Sequence, residues 1–519
     1  MPTSPILNNE GVIMPGKLRN LVQAQKPEIK IHLTSRKRTY TTLDRIEGTV
    51  SITASVDTRF DVVDIEFVGT SRTYVERLTT AAAASGRSEA FHQFLKLTQP
   101  GLREHYPADG ILKARQTYEF PFVFVVPQHL LPRVCRHHIH HPAVRDAHLQ
   151  LPPTLGDKDP TDRPDALDDM APDMASVRYG VFAKLARVKI HGDEVYRVPL
   201  ASKARKLRVV SAADEQPPLA VGGEDSDYIM RKEKALRKGV LKGKLGTLVM
   251  EAAQPQSLRM RSYVNPEART TTMATVMLRF DPADEKLPPP RLGSMSSKLK
   301  VCTFFASTAR QSFPSKHTSL LDLTQGVHAE QLNLSSRCMA NVEWTKSDPT
   351  MPVSIERRDS ATSLTAGDTP EPSATYKGKS YYTARLLVPI TLPTNKAFVP
   401  TFHSCLISRI YQLKLDLGLH SAGIGPSMDL RIPIQVSAEG SNDEQSPRSG
   451  SVASLSDEAE VDAEDASDFF EPRTIRAPSE GFVGRSRIGS VVPTMNDAPP
   501  GYSAYAPETH RRHMSVPVY

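Results

Sequence analysis

The chain has 519 residues, enough for about three domains, which excludes a miniature scaffold held together by disulfides. Hydrophobic residues make up 39% and charged residues 24%, as in soluble proteins, and no apolar run approaches the roughly 18 residues of a membrane span. The net charge of +7 divides into −7 for residues 438–519, with 14 acidic and 7 basic side chains, and +14 for the remainder. The four cysteines are scattered and the first residues lack a signal-peptide layout, so we expect a cytoplasmic protein.

Most apolar segments alternate with period two and are rich in Val, Ile, Thr, Tyr and Phe, which predicts β-strands. The predicted strands of the first half are Ile29–Leu33, Ile46–Ala54, Val62–Gly69, Thr73–Leu78, His92–Leu97, Gln116–Val126, Val177–Ile190 and Lys206–Val210. Those of the second half are Gly246–Ala252, Met273–Phe280, Leu299–Phe305, Cys338–Trp344, Tyr381–Leu392, Cys405–Leu417 and Leu430–Val436. Helical periodicity is scarce, so the predicted fold class is all-β, with two antiparallel β-sandwiches in tandem and a C-terminal tail.

Composition also predicts the connections between these strands. The segments Thr79–Ala90 and Pro152–Pro172 are predicted to be loops. The predicted organisation is a flexible N-terminus (1–25), a first sandwich (26–210), a hinge or basic linker (211–244), a second sandwich (245–437) with a disordered loop (346–379), and a disordered acidic tail (438–519).

A basic body with an acidic tail favours anionic partners such as phospholipid head groups, phosphorylated or acidic peptides, or nucleic acid, although it also serves solubility alone. Nucleic acid is not expected, because the basic residues are not interleaved with aromatic ones and the sole tryptophan is Trp344.

The sequence contains no convincing catalytic motif, so it predicts no enzyme and no cofactor. The segment GVLKGKL from Gly239 lacks the spacing and the Ser/Thr of a phosphate-binding loop, and no G-x-S-x-G or H-E-x-x-H pattern occurs.

The segment CRHHIHH contains enough nitrogen and sulfur donors for zinc in principle, at Cys135, His137, His138, His140 and His141. Histidines spaced by one or two residues on a loop cannot easily close a tetrahedron without other ligands. The sequence therefore predicts no metal site, and an enzyme or metal protein built around this segment is kept as an alternative.

Several segments, in order along the chain, resemble the fungal alpha-arrestins. KIHLTSRKRTYTTLDRIEGTVSI (30–52), with its I-x-G-x-V pattern, is similar to the first strands of the family, and DVVDIEFVGTSRTYV (61–75) to the strand that follows. YEFPFVFVVPQHLLP (118–132) resembles the family's F-P-F turn and VRYGVFAKLARV (177–188) its Val-x-Tyr strand. Residues 381–419 and DLRIPIQV (429–436) are similar to the C-terminal sandwich. The resemblance covers about residues 26–437 and implies two arrestin-like sandwiches joined by a hinge, without enzymatic activity.

The tail contains DAPPGYSAY, in which Pro499, Pro500 and Tyr502 form a P-P-x-Y motif. Such a segment adopts polyproline II readily and is read by the aromatic grooves of WW domains. The final residues include a degenerate copy, with Pro517 and Tyr519, that would add avidity. The family resemblance implies the partner, a HECT-type ubiquitin ligase that carries several WW domains.

Residues 438–519 contain no lysine, so a ligase bound to the tail cannot modify the segment that holds it. If the chain is itself ubiquitinated, the acceptor lies in the body. Candidates flank the hinge, and the alternative is a solvated face or a contact with anionic lipid. They are Lys203, Lys206, Lys232, Lys234, Lys238, Lys242 and Lys244.

Three serines follow arginines as basic-directed kinases prefer, namely Ser360, Ser490 and Ser515. Phosphate would add about two negative charges and create a site for an arginine-lined partner such as a 14-3-3 protein. Ser490 is the favoured site, because a partner bound there would obstruct ligase docking at Pro499.

The sequence thus predicts a non-enzymatic adaptor. Its body would recognise cytosolic segments of membrane transporters or receptors at the plasma membrane or endosomes, aided by the anionic membrane surface. Its tail would recruit the ligase that marks this cargo for endocytosis. The alternative is an arrestin-like signalling scaffold, as in ambient-pH or receptor signalling, without ligase recruitment.

Overall fold

The computed structural model describes residues 26–440, with gaps at 36, 38, 78–85, 158–166, 192–193, 220, 222–226, 238–242, 262–268, 348–368 and 421–425. The elements up to residue 210 are β1 (Glu28–Leu33), β2 (Arg45–Thr53), β3 (Thr58–Arg59), β4 (Val62–Arg77), β5 (Gly86–Thr98), β6 (Ile111–Leu112), β7 (Thr117–Val125), α1 (Pro142–His148), β8 (Ala175–His191) and β9 (Glu194–Leu207). Those that follow are β10 (Arg231–Arg237), β11 (Lys244–Ala252), β12 (Leu258–Met260), β13 (Thr271–Pro282), β14 (Leu292–Ala306), α2 (Lys316–Leu321), β15 (Gln325–Cys338), β16 (Thr345–Ser347), β17 (Tyr381–Thr391), β18 (Phe402–His403), β19 (Ile407–Leu419), β20 (Ser427–Ile434) and β21 (Val436–Ala438).

The first sandwich packs an antiparallel sheet of order β1-β2-β7 against one of order β5-β4-β8-β9. Alternate residues of β2 are buried, as period two requires, and the phenylalanines of β7 lie on the same inner face. Phe67 of one sheet and Phe124 of the other meet with ring centroids 6.0 Å apart. The predicted alternation therefore places one apolar face of each strand in the core between the two sheets.

The glycine in the I-x-G-x-V pattern has a packing role. A Cβ at Gly48 would lie 2.1 Å from the carbonyl oxygen of His32 and 2.6 Å from Cζ of Phe122. Because no side chain fits there, the ring of Phe122 can lie directly over β2. The glycine of the I-x-G-x-V pattern is thus needed where β2 and β7 approach each other closely.

The second sandwich packs a sheet of order β10-β11-β13-β17-β16 against one in which β15, β14 and β19 lie side by side, with β18 and β20 both paired to β19. Leu248 and Leu278 of the first of these sheets share a buried cluster with Leu299, Leu413 and Leu415 of the second. β12 and β21 form a separate short parallel pair. The prediction of an all-β fold with two tandem sandwiches is confirmed.

Two predictions in the first sandwich need correction. The strands predicted at Val62–Gly69 and Thr73–Leu78 are one strand, β4, with a register shift after Gly69. The loop predicted at Thr79–Ala90 ends earlier, because β5 begins at Gly86. The cause of the first error is a buried polar pair inside β4, since Thr70 and Ser71 resemble a turn by composition.

The strand predicted at Cys338–Trp344 is wrong. The strand there is β15, which ends at Cys338, and residues 339–344 form a turn and an irregular stretch before β16. β15 lies at a sheet edge and has no fully buried residue, so its sequence lacks the apolar alternation that reveals a strand.

The hinge predicted at 211–244 is largely fixed to the second sandwich. Its basic part forms the edge strand β10, which pairs with β11. Ala213 exchanges two backbone hydrogen bonds of 3.0 Å with Ala438, and the carboxylate of Asp227 accepts hydrogen bonds from Lys316. The high density of basic residues makes this segment resemble a linker by composition. In the folded chain these charges are neutralised by ion pairs, which are described below.

The loop predicted to be disordered at 346–379 also has two fixed ends. Its first residues belong to β16. Near its other end, the backbone carbonyls of Glu371 and Pro372 accept hydrogen bonds from Arg231, and the amide of Ser373 donates to Asp281. The middle of this loop, the N-terminal 25 residues and the tail after residue 440 lie outside the described residues.

Candidate functional site

The residues predicted to bind WW domains lie outside the part of the chain that the structure describes. They are Pro499, Pro500, Tyr502, Pro517 and Tyr519. The predicted phosphorylation sites Ser360, Ser490 and Ser515 also lie outside it. These assignments stay predictions, and the described body offers two other features, the interface between the sandwiches and a cluster of cysteines and histidines.

The interface between the sandwiches includes apolar packing. The core of the first sandwich continues into buried side chains of the second, namely Phe305, Val399, Phe402, Leu406 and Ile407. In return, Met170 from the first part of the chain packs into the core of the second sandwich. The two hydrophobic cores therefore contribute to each other's burial.

Polar contacts cross the same interface. The hydroxyl of Thr73 donates to the carbonyl oxygen of Ala306 at 2.6 Å, and both residues are buried. The guanidinium of Arg409, which is fully buried, donates through Nη2 to the carbonyl oxygen of Asp169 at 3.1 Å. Because buried donors and acceptors are costly to leave unpaired, these bonds favour one arrangement of the two sandwiches.

A lysine near the edge of this interface pairs with a carboxylate on each side. The Nζ of Lys396 lies 2.7 Å from Asp168, in the first half of the chain, and 3.1 Å from Glu330 on β15. Hydrogen bonds to Asp168 and then Glu330 raise the pKa of Lys396. The backbone amide of Ala397 also donates to the carbonyl oxygen of Asp168 at 2.9 Å, which extends the contact.

Basic side chains of β10 form ion pairs and hydrogen bonds with neighbouring residues. Arg231 donates to Glu251 at 2.9 Å and to Glu233 at 2.8 Å, and Lys232 pairs with Asp429. Lys234 donates to the carbonyl oxygen of Ser427. These cations thus have partners within their own sandwich, which explains how a sequence this basic forms an edge strand.

The lysines that flank the predicted hinge differ in exposure. Lys203 and Lys206 lie on β9 and are half-buried, and the side chain of Lys206 is only 13% exposed beside Asp157. Lys244, at the start of β11, is exposed. Lys238 and Lys242 lie outside the described residues.

The segment between β7 and α1 forms one part of a cysteine and histidine cluster. A short 3₁₀ turn, Pro132–Val134, ends at Cys135, whose amide donates to the carbonyl oxygen of Pro132. Cys135 Sγ lies 3.2 Å from His137 Nε2 and 3.6 Å from Nδ1 of His148, at the C-terminal end of α1. The thiol of Cys405, from the turn between β18 and β19, completes a group whose four ligand atoms all lie within 4.8 Å of one another.

Burial controls the protonation of this group. It raises the pKa values of the Cys135 and Cys405 thiols. The neighbouring thiol makes a smaller contribution, which lowers the pKa of Cys135 and raises the pKa of Cys405. Burial lowers the pKa of His148 to about 3, with a smaller contribution from His137, so this imidazole is neutral at pH 7. The described protein therefore holds two thiols and a neutral imidazole away from water.

The other histidines of CRHHIHH have different roles. His141 caps α1, because its Nδ1 accepts a hydrogen bond from the amide of Ala143, and Pro142 occupies the first helical position. His138 and His140 are exposed, with ring centroids 5.4 Å apart, and the amide of His140 donates to the carbonyl oxygen of Gln311. Two of the five donors predicted from this segment thus join the cluster and three do not.

Sequence reasoning missed His148 and Cys405. The loop alone cannot close a tetrahedron without other ligands, and the structure supplies two. His148 follows the last residue of CRHHIHH by seven positions, and Cys405 is separated from Cys135 by about half of the chain. The packing of α1 brings His148 to Cys135, and the pairing of the two sandwiches brings Cys405, so no local signal in the sequence was available.

Within the described ranges, no helix is both long enough and apolar enough to cross a bilayer.

Residues 323–438 match the family model described as the Bul1 C terminus. The matched region begins before β15 and ends at β21, so it lies within the second sandwich. Bul1 is an arrestin-related trafficking adaptor family in yeast, and the match confirms the resemblance to fungal alpha-arrestins. No curated protein matches the chain.

Proposed function

We propose that the chain is a non-enzymatic adaptor that brings a HECT-type ubiquitin ligase to transporters or receptors of the plasma membrane, which are then ubiquitinated and endocytosed. The observation that carries the proposal is the combination of an arrestin-like body, in which residues 323–438 of the second sandwich match the Bul1 C terminus, with a P-P-x-Y motif in the tail. The body would bind the cargo, and the tail would bind the WW domains of the ligase.

The tail suits a docking role by its chemistry. Pro499 and Pro500 reduce the conformational entropy that a short peptide loses on binding, and Tyr502 supplies the large side chain that fills a second pocket. The copy around Pro517 and Tyr519 would engage a second WW domain of the same ligase. Two weak contacts joined by a short linker bind more tightly than either alone.

The absence of lysine after residue 437 directs ubiquitin away from the docking segment. Ubiquitin would therefore reach lysines of the cargo or of the body. Among the described hinge-flanking lysines, Lys244 is the one whose exposure suits an acceptor, whereas Lys206 and Lys232 are held in ion pairs.

Binding of purified tandem WW domains from a HECT ligase to the full chain tests the docking step. We expect micromolar binding to the unmodified chain, a loss of at least about tenfold for Tyr502→Ala, and a smaller loss for Tyr519→Ala. Tyr505→Ala is the matched control, because it removes a tyrosine three residues further on that lies outside the motif.

Two results would overturn this assignment. One is that the intact chain does not bind WW domains at all. The other is that Tyr502→Ala and Tyr505→Ala bind equally well, since the interaction would then not depend on the motif.

A further inference from the structure

The cysteine and histidine cluster joins the two halves of the body. Cys135, His137 and His148 come from the segment that connects β7 to α1 and from α1 itself. Cys405 comes from the turn between β18 and β19 in the second sandwich. Three of the four residues are buried, at 2–3% exposure for Cys135, His148 and Cys405, and His137 is half-buried.

The distances in this cluster agree with those between the ligands of one tetrahedral zinc ion. Zinc binds sulfur at about 2.3 Å and imidazole nitrogen at about 2.0–2.1 Å, so a sulfur and a nitrogen ligand lie about 3.5 Å apart. In the structure, the sulfur of Cys135 lies 3.2 Å from the nitrogen of His137 and 3.6 Å from that of His148. All four atoms lie within 4.8 Å, which is close enough to surround one ion.

The tautomer of His137 is set by its other ring nitrogen. Nδ1 lies 3.0 Å from the carbonyl oxygen of His138, which can only accept a hydrogen bond, so Nδ1 carries the proton. Nε2 then presents its lone pair towards Cys135 Sγ. A backbone carbonyl that orients an imidazole through its second nitrogen is the usual support of a metal-binding histidine.

The ligand set also indicates which kind of metal the site prefers. Two thiolates and two imidazoles favour zinc over calcium or magnesium, which prefer oxygen ligands. Four protein ligands fill the tetrahedron and leave no open position for water, so the site would be structural and not catalytic.

We propose that Cys135, His137, His148 and Cys405 bind one Zn²⁺ ion, which fastens the β7–α1 segment of the first sandwich to the β18–β19 turn of the second. On binding, both thiols lose their protons to solvent and the two thiolates balance the charge of the ion. The ion would add a coordinate link to an interface that otherwise depends on side-chain packing, hydrogen bonds and the Lys396 ion pair.

Neighbouring contacts position this link. The amide of Arg310 donates to the carbonyl oxygen of Cys405 at 2.9 Å, and the amide of His140 donates to the carbonyl oxygen of Gln311 at 3.0 Å. Both bonds hold the segment after β14 beside the cluster, and the second one crosses between the sandwiches. The ligands are therefore supported from both sides of the interface.

The test is the zinc content of the full chain, purified without added metal or chelator and measured by mass spectrometry of the metal. We expect about one zinc per chain. His137→Ala should lower the zinc affinity by at least about tenfold, since even changes outside the ligands have effects of that size. His137 is the residue of choice because it is half-exposed, so its replacement disturbs packing least.

His138→Ala is the matched control, because it removes an exposed imidazole next to the ligand and keeps the carbonyl that orients His137. Cobalt substitution gives a second readout, since a tetrahedral site with two thiolates has visible absorption bands and thiolate-to-cobalt charge transfer. A strong chelator should lower the melting temperature of the unmodified chain and of His138→Ala, because a ligand of the folded state stabilises it.

Three results would overturn the proposal. The first is a folded, unmodified chain that contains no zinc and binds none when Zn²⁺ is added. The second is a zinc content in His137→Ala and in a folded Cys405→Ser variant that equals that of the unmodified chain. The third is a disulfide between Cys135 and Cys405 in chain purified from reducing cytosol.

Discussion

Arg279 and Asp281 form a buried ion pair on β13 that anchors one end of the loop predicted to be disordered. Arg279 Nε lies 2.8 Å from Asp281 Oδ1, and their side chains are 9% and 1% exposed. The carboxylate also accepts a hydrogen bond from the amide of Ser373, and the guanidinium donates to the carbonyl oxygen of Pro370. The ring of Tyr381 lies under the guanidinium at 3.9 Å.

Removal of one partner should be costly, because it leaves the other charge buried without compensation. We expect Asp281→Ala to lower the free energy of unfolding by about 3–5 kcal/mol. Chemical denaturation followed by circular dichroism measures the change. Glu28→Ala is the control, since Glu28 belongs to an exposed pair with Lys30, and it should change stability by less than about 1 kcal/mol. Equal effects of the two substitutions would contradict the role of burial.

Single residues differ in how much the sequence reveals about them. The glycine of the I-x-G-x-V pattern could be recognised, because its motif repeats a local packing requirement between neighbouring strands. Cys405 could not, because its meeting with Cys135 depends on contacts between segments far apart in the chain, and His148 could not, because only the packing of α1 brings it to Cys135. Arg279 and Asp281 are separated by one residue, yet only their burial makes them important, and burial of charge is not a local signal.

At the scale of elements, apolar alternation predicts the strands that lie inside sheets and fails at the edges. β7 and β17 were predicted within one residue of their bounds because their alternate residues enter a core. β10 and β15 are edge strands with few or no buried residues, so they were assigned to a linker or displaced along the chain. Their pairing follows from partners that sequence composition does not identify.

The reassignment of β10 from hinge to strand can be tested by hydrogen exchange. Because β10 is an edge strand paired on one side, alternate amides within 231–237 should be protected and the others should exchange freely. β13, which is paired on both sides, is the reference and should be protected throughout its paired residues. Free exchange at every amide of 231–237 would instead support a mobile hinge.

At the scale of the whole molecule, the described body is a pair of sandwiches fixed to each other. Shared cores, the bond from Thr73 to Ala306, the bond from Arg409 to Asp169 and the Lys396 ion pair all cross the interface. The proposed zinc site would add a further connection. Such a body suits a platform of constant shape for binding cargo. The basic charge of the body and the acidic charge of the tail, by contrast, could be assigned from the sequence alone.

The proposed adaptor needs this body and the docking motif to act together on membrane cargo. The most direct measurement compares the surface proteome and the ubiquitinated proteome of cells that carry only Tyr502→Ala or only Tyr505→Ala in place of the natural chain. We predict that Tyr502→Ala cells retain a set of transporters or receptors at the plasma membrane and lose ubiquitin from the same proteins, whereas Tyr505→Ala cells match the unmodified ones. Identical proteomes in all three, with the variants folded and equally abundant, would contradict the account.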